Sequence, residues 1–379
     1  MNTKVLITGG AGFIGSNLAN KLLKMHYDVT IFDNLSEQVH GTNPKSTSSL
    51  YHSIKNKVNF IYGDVQNKKD WGKALKDIEF VIHFAAETGT GQSMYEISKY
   101  CNVNITGTAI LLDYIINCKH SIKKVILASS RAVYGEGKYY CQKDGFVFPQ
   151  ERYEDDLLKG KFDPVCPQCS QIISLIPTDE ESKLQPSSIY GLTKLTQEKL
   201  FLSVLKPLNI PFVILRYQNV YGPGQSLSNP YTGILSIFST LIKKNKKINI
   251  FEDGLESRDF VYISDVVDAT ILALENNTAN YQIFNVGSGE SVTVDEVVKK
   301  LINLYNSSAS YYISGNYRLG DIRHNFADLS KIKKILEYSP KYSFDRGIKS
   351  FSKWVNQQKL EKIEYEYSLD IMKSKKLLK

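Results

Sequence analysis

A tyrosine and a lysine four residues apart, Tyr190 and Lys194 in PSSIYGLTKLTQE, are the residue types here with the most evident chemical use. On a helix this spacing sets a phenol and an ammonium on one face, a turn apart, with Ser187 or Ser188 placed to cap the start. Such a pair is either a solvated contact or a general acid/base. A phenol has a pKa of about 10 unaided, and nearby positive charge brings it toward neutrality. A second set lies in GGAGFIGSNLANKLLK, where Gly10, Gly12 and Gly15 make G-x-G-x-x-G and Gly9, Gly12 and Gly15 the overlapping G-x-x-G-x-x-G. The apolar run TKVLIT precedes them, and Leu18, Leu22 and Leu23 follow at helical spacing. Strand, glycines and helix in that order bring backbone N–H groups against a pyrophosphate, so Gly9, Gly12, Phe13, Ile14 and Gly15 are expected at a dinucleotide. Asp33, with Asn34 at the end of DVTIFDNLS, stands where an acid binds the adenosine ribose and repels a 2′-phosphate, which favours NAD over NADP. An ordinary turn would also use these two residues but leaves the spacing unexplained. A third set, Cys141, Asp144, Cys166 and Cys169, imitates a zinc ribbon written C-x-x-D…C-x-x-C. Structural zinc usually takes Cys or His as its fourth ligand, so reduced structural cysteines or a redox-labile pair stay open.

The elements that must position these residues are short apolar runs, VNFIYGD at 58–64, EFVIHFAAE at 79–87 and KKVILASS at 123–130. Helical patterns separate them, the longest from about Ser93 to Cys118. The alternation predicts an α/β fold, a Rossmann-type doubly wound parallel sheet whose ligands lie at the carboxyl ends of the strands. Asp64, Val65, Ala85, Ala86 and Ser130 fall at such ends. After Pro211 the pattern is less regular, as in a smaller C-terminal substrate-binding domain. The expected division is 1–210 for the cofactor, with a polar, proline-bearing insert at 135–185, then 211–355 mainly for the substrate and a basic, solvated tail at 356–379. A net charge of +8 on 379 residues is scattered rather than clustered with aromatics, so an anionic small substrate is expected and a nucleic acid is not. Met-Asn-Thr-Lys runs straight into VLITGG, and no apolar stretch reaches the roughly 20 residues of a membrane span, which leads us to expect a cytoplasmic protein with no membrane partner. Cys101 and Cys118 are expected in the core of the long helix.

The ordered motifs TGGAGFIG, GDV, HFAAE, SSRAVYG, YGLTK, RYQNVYGPGQ, SRDFVYISD and GDIRH resemble the extended short-chain dehydrogenase/reductase family of nucleotide-sugar enzymes, up to about residue 355. The resemblance implies a catalytic triad of Ser130, Tyr190 and Lys194, with Ser130 orienting the substrate oxygen and Lys194 holding the nicotinamide ribose. It implies that Asn219, Arg258 and Arg318, the last beside Asp321, hold a diphosphate, for which guanidinium forks are suited. Dehydratases of the family carry Asp-Glu directly after the triad hydroxyl residue, whereas Arg131 and Ala132 follow Ser130 here. The glutamate of the decarboxylases is missing too, and Asp33 disfavours the NADPH of the reductases. What remains is a 4-epimerase with tightly bound NAD: Tyr190 takes the C4 hydroxyl proton, hydride passes to NAD, and the 4-keto sugar turns over and receives the hydride on its other face. AAETGTGQSMYE, NVNITGT and RYQNVYGPGQSLSNPYTGI resemble the branch of dTDP-L-rhamnose 4-epimerases, which form dTDP-6-deoxy-L-talose. On that resemblance Thr88, Gly89, Thr90 and Gln92 lie near the hexose and Arg131 contacts it, although an ordinary Gly-rich loop reads the same way. A UDP-hexose (UDP-glucose/galactose) 4-epimerase, or a dehydratase or reductase of the same family, is the rival reading. A silent NAD-binding regulator would be signalled by loss of Tyr190 or Lys194, and both are present. The family also implies a homodimer formed through the helix at 93–118 and the one beginning near Ser187.

Overall fold

The computed structural model describes residues 3–360 and 365–379. Seven parallel strands form the central sheet: β1 (Lys4–Thr8), β2 (Asp28–Asp33), β3 (Asn59–Tyr62), β4 (Phe80–His83), β5 (Lys124–Ser130), β6 (Phe212–Tyr217) and β7 (Gln282–Val286). Their order is β7-β6-β5-β4-β1-β2-β3. Chain direction through the sheet reverses between β1 and β4, and a crevice opens there above the carboxyl ends. Helices cover both faces, which is why β5 and β6 are buried at every residue and carry the continuous apolar stretches VILA and FVIL. Two core clusters lie on opposite faces, one with Val5, Ile7, Leu18 and Leu22, the other with Leu6, Trp71, Leu111 and Phe201.

Several features differ from the sequence expectation. β6 and β7 come from beyond residue 210 yet extend the main sheet, because VILRY and QIFNV are apolar enough to be buried on both faces. The long helical pattern is broken into Thr90–Ser93, Ile97–Tyr100, a π-helical turn at Cys101–Thr106 and α2 (Gly107–Asn117), preceded in the fold by α1 (Phe13–Lys24). The π turn points the buried Asn104 side chain sideways, where it accepts from the Glu87 N–H (2.8 Å) and donates to the Glu87 carbonyl (3.1 Å) and Thr193 Oγ1 (2.9 Å). Cys101 is half-buried and Cys118 exposed rather than core. Part of the 356–379 tail, residues 361–364, lies outside the described residues; in the rest the lysines are exposed as expected, but one face is packed. Tyr365–Ser374 is a helix, and its Leu369 and Met372 pack with Leu378, Tyr95 and Phe251.

The insert folds as a small sheet, Tyr139–Cys141 flanked by Gly145–Val147 and Ser174–Leu175. Among the described residues, no helix is long and apolar enough to cross a membrane.

Candidate active site

Ser188 begins α3 (Ile189–Val204), its Oγ accepting the Gly191 N–H at 3.1 Å, while Ser187 turns away to donate to the Gly320 carbonyl at 2.9 Å. α3 packs tightly on the end of β5. A Cβ at Gly191 would stand 2.4 Å from the Ala132 carbonyl oxygen, so only glycine permits the approach. Behind it, the buried Arg216–Glu198 pair (2.8 Å) and the Ser129 hydroxyl, which donates to Glu198 at 2.5 Å, tie α3 to β5 and β6.

This docking brings Ser130, Tyr190 and Lys194 to one wall of a cavity of about 580 Å³. Burial raises the Tyr190 pKa, opposed by a hydrogen bond from Ser130 and by the charge of Arg131. Lys194 donates to the Ala128 carbonyl at 2.9 Å, and burial pushes its pKa down to about 7 against the pull of Glu198. Ser130 and Arg131 are thus the neighbours that favour the Tyr190 phenolate against burial, and Lys194 stands on the same wall of the cavity.

Gly9, Gly12, Phe13, Ile14, Gly15, Asp33, Asn34, Asp64, Val65, Ala85 and Ala86 line the same cavity. Gly9 has φ +63°, and a Cβ there would lie 2.8 Å from the Ala85 Cα. α1 starts with no side-chain cap, leaving its first N–H groups to an anionic ligand. The Asp33 carboxylate accepts the Ala11 N–H (2.9 Å) on one oxygen and the Leu35 N–H (2.8 Å) on the other, so it holds the glycine loop as well as facing the crevice. The residues present thus fit a dinucleotide: an open helix N-terminus, a loop without side chains and an acid at the second strand's end.

Thr88, Gly89, Thr90, Arg131, Asn219, Arg258 and Arg318 are also brought to the cavity. Gln92 is not. It is buried beneath the loop, bonded to Gln38 (2.9 Å) and the Tyr100 hydroxyl (3.2 Å), because the short helix that begins at Thr90 turns it inward. Arg131 donates from Nε to Asn219 Oδ1 at 3.1 Å. Burial and neighbouring Arg258 lower its pKa to about 9, which leaves it charged at neutral pH. Arg258 already donates to the carbonyls of Ser257, Ile322 and Arg323. Arg318 pairs with Asp321 at 2.7 Å, and its buried Nε has no partner. Although burial opposes it, these arginines hold the Asp321 carboxyl below its ordinary range. Arg131, Arg258 and Arg318 thus gather guanidinium groups around Asp321 on one side of the cavity, an arrangement that suits a diphosphate.

Several supports escaped sequence reasoning. Tyr100 donates to the Thr88 carbonyl at 2.6 Å, fixing the loop, and Tyr95 and Tyr231 hydroxyls meet at 2.6 Å. From the insert, Arg152 reaches Glu252 (2.8 Å), Glu136 (3.2 Å) and the Asp321 carbonyl (3.0 Å). Arg323 joins the same network through Glu252 and Asp253. Tyr365, Ser368 and Met372 line the cavity as well. These partners lie too far apart in sequence for any local motif to announce them.

The insert's Cys141, Asp144, Cys166 and Cys169 converge, their ligand atoms all within 4.8 Å of one another. The cysteines are free thiols, with Cys141 and Cys169 sulfurs 3.5 Å apart and Asp144 Oδ2 at 3.1 Å from the Cys166 sulfur.

Residues 6–153 match the family model for GDP-mannose 4,6 dehydratase, and residues 163–287 that of the NAD dependent epimerase/dehydratase family. The dTDP-L-rhamnose 4-epimerase of Burkholderia thailandensis is 36% identical over 94% of this chain and 95% of its own length. A putative UDP-glucose 4-epimerase of Methanocaldococcus jannaschii is 32% identical over 93% of this chain and 98% of its own. Among solved structures, the UDP-glucuronic acid 4-epimerase of Bacillus cereus, in complex with UDP-glucuronic acid and NAD, superposes with a TM-score of 0.76 at 29% identity, covering 94% of this chain and 99% of that one.

Proposed function

The chain belongs to the NAD-dependent epimerase/dehydratase family, among its nucleotide-sugar 4-epimerases, and from that premise we propose that it interconverts dTDP-L-rhamnose and dTDP-6-deoxy-L-talose. The observation carrying the reaction type is at the end of β5. The residue after Ser130 sends its guanidinium to Asn219 and supplies no acid/base pair, so the residues beside Tyr190 serve redox at one carbon without elimination. The resemblance to the Burkholderia enzyme supports the substrate. In this reading Ser130 orients the C4 hydroxyl, Tyr190 takes and later returns its proton, and Asn219, Arg258 and Arg318 hold the diphosphate while the 4-keto sugar turns. Gly9 to Gly15, Asp33 and Lys194 would hold NAD, which when bound would supply the hydride acceptor and donor at C4. Exposed Ile97, Ile116 and Leu192, on the helices expected to form a dimer, support a homodimer.

The test is incubation of the enzyme as purified, without added cofactor, with dTDP-L-rhamnose and separately with UDP-galactose and UDP-glucose, followed by proton NMR, with sedimentation of the same preparation. A C4-inverted dTDP sugar from a dimer is the expected result. Turnover of the UDP sugars alone would keep the 4-epimerase mechanism and exclude the dTDP-deoxysugar reading.

For the insert, we propose a structural zinc ion held by Cys141, Asp144, Cys166 and Cys169. Tetrahedral zinc with sulfur at about 2.3 Å places sulfurs roughly 3.8 Å apart, close to the separation found between Cys141 and Cys169. The insert's own core is Tyr139, Cys141, Val147 and Cys166 with three flanking apolar side chains, too little to hold a fifty-residue excursion by burial. Metal analysis of protein made in zinc-replete medium is expected to give about one zinc per chain, and chelation to lower Tm by roughly 5–10 °C. Zinc below about a tenth of an equivalent, with all three thiols freely alkylated, would exclude the site.

A further inference from the structure

The last fifteen residues are built into the cavity that holds the chemistry. The backbone of Leu377–Lys379 runs antiparallel to Tyr317–Leu319, with Tyr317 N–H to the Lys379 carbonyl at 2.8 Å, Lys379 N–H to the Tyr317 carbonyl at 3.0 Å and Leu319 N–H to the Leu377 carbonyl at 3.0 Å. The strand so formed carries Arg318. On its other side, Tyr317 and Leu319 pack against Leu157 and Phe162 of the insert, and the Lys379 ammonium pairs with Glu154. The preceding helix α4 (Tyr365–Ser374) lays Met372 against the loop that begins the substrate wall. A Cβ at Gly91 would sit 3.2 Å from the Met372 sulfur and 3.9 Å from Arg318 Nη1. Tyr365 stands beside Arg318 and Asp321. Tyr365, Ser368 and Met372 share one cavity with Tyr190, Arg131 and Asn219. Lys375 lies over the Tyr95 ring, and the Tyr95 hydroxyl meets Tyr231, which also lines the cavity.

We propose that this C-terminal segment is a wall of the nucleotide-sugar site: its backbone fixes Arg318, and Met372 and Tyr365 contact the bound substrate and help set which sugar fits. Arg318 needs such support. Its Nε is buried without a partner, and among the described residues its one ion pair is with Asp321, three residues on in the same turn. An antiparallel strand on the open edge of 317–319 removes the main-chain freedom that would let the guanidinium swing. Met372 beside Gly91 gives the cavity an apolar face between the Thr88–Gly91 loop and Arg318, where a hexose must lie if Tyr190 acts on it and Arg318 holds its diphosphate. The proposal therefore rests on the nucleotide-sugar reading above.

Titration of the NAD-loaded protein with dTDP and with UDP separates the two, because neither needs turnover. Two variants are compared with the intact chain, one ending at residue 360 and one carrying Met372→Glu, which leaves the tail in place but sets a carboxylate against the diphosphate. Each is expected to bind the preferred nucleotide at least about tenfold more weakly, with KM for the sugar substrate raised more than kcat is lowered and the bound NAD unchanged. Met372 is buried among Leu369, Leu378, Tyr95 and Phe251, so Met372→Glu is expected to lower Tm, and both variants are titrated well below their own Tm with bound NAD intact, so that a folding defect does not decide the matter. Affinity within about twofold of the parent in Met372→Glu would overturn the wall. Failure of the intact chain to bind either nucleotide would overturn the nucleotide-sugar reading, and the wall with it.

Discussion

Replacing Tyr190 by phenylalanine is expected to lower kcat by about 10³-fold, roughly 4 kcal/mol of transition-state stabilisation, while NAD content and nucleotide affinity stay within about twofold. The ring is retained, so its edge-to-face contact with Tyr100 at 6.5 Å persists and the wall of the cavity keeps its shape. What is lost is the oxygen that accepts the substrate proton. The pH dependence follows from the same surroundings. Burial raises the Tyr190 pKa, and burial also pulls Lys194 down to about 7, so at pH 8 this pair carries less positive charge than its residue types promise. The phenolate then depends on Ser130, on Arg131 and on the cationic nicotinamide of the bound cofactor. Phenol absorbance should accordingly show Tyr190 titrating at lower pH with NAD bound than without it, and kcat should rise with pH through that lower value and then level. In Tyr190→Phe the residual rate should be flat over the same interval. A variant retaining more than about a tenth of kcat would remove Tyr190 from proton transfer.

The chemistry was legible where it is local in sequence. The glycines of residues 9–15 and Asp33 are each set by one strand end, the Tyr190–Lys194 pair by one helix, and short apolar runs and period-3.6 patterns reveal those elements directly. YGLTK was readable for the same reason, although the need for Gly191, a near collision with the Ala132 carbonyl, shows only in three dimensions. The metal-like quartet was legible from spacing, and its closure depended on the insert hairpin pairing Cys141 with Gly145. Gln92 misled because a polar residue in a Gly-rich loop looks equally suited to a sugar and to a buried amide partner such as Gln38. The π turn left no periodic trace, since one extra residue per turn blurs the apolar pattern without breaking it. The C-terminal segment was hidden by its lysines. Lys373, Lys375 and Lys376 gave it the composition of a solvated tail, while Leu369, Met372 and Leu378 carried the packing. The Glu136–Arg152–Glu252–Arg323 network joins residues up to 187 positions apart and has no local signature.

Asp33→Asn is expected to weaken NAD binding by about 100-fold, near 2.7 kcal/mol, so that the purified variant carries less than about a tenth of an equivalent. The substitution is nearly isosteric, and its effect comes from donor count. Each carboxylate oxygen already accepts a backbone N–H, from Ala11 and from Leu35. An amide can offer an oxygen to only one of them and must turn its NH2 toward the other, leaving a buried donor facing a donor. Ala11 lies between Gly10 and Gly12, so the lost bond loosens the stretch of backbone whose N–H groups await the pyrophosphate. Burial makes the Asp33 charge costly, raising its pKa, and the backbone donors and His40 offset that cost, so the charged form is held by the same contacts that order the loop. The neutral variant should also lose much of the repulsion toward a 2′-phosphate, narrowing the preference for NAD over NADP even as both bind more weakly. Asp64→Asn is the matched control. Asp64 is only half-buried, accepts from Asn34 at 3.1 Å and from Gln66 at 2.8 Å, and touches no residue of the glycine loop in these bonds, so its NAD content should fall far less. Equal losses in the two variants would mean that net negative charge at the crevice, rather than the bracing of Ala11, retains the cofactor. An unchanged NAD content in Asp33→Asn would place both loop order and coenzyme choice elsewhere.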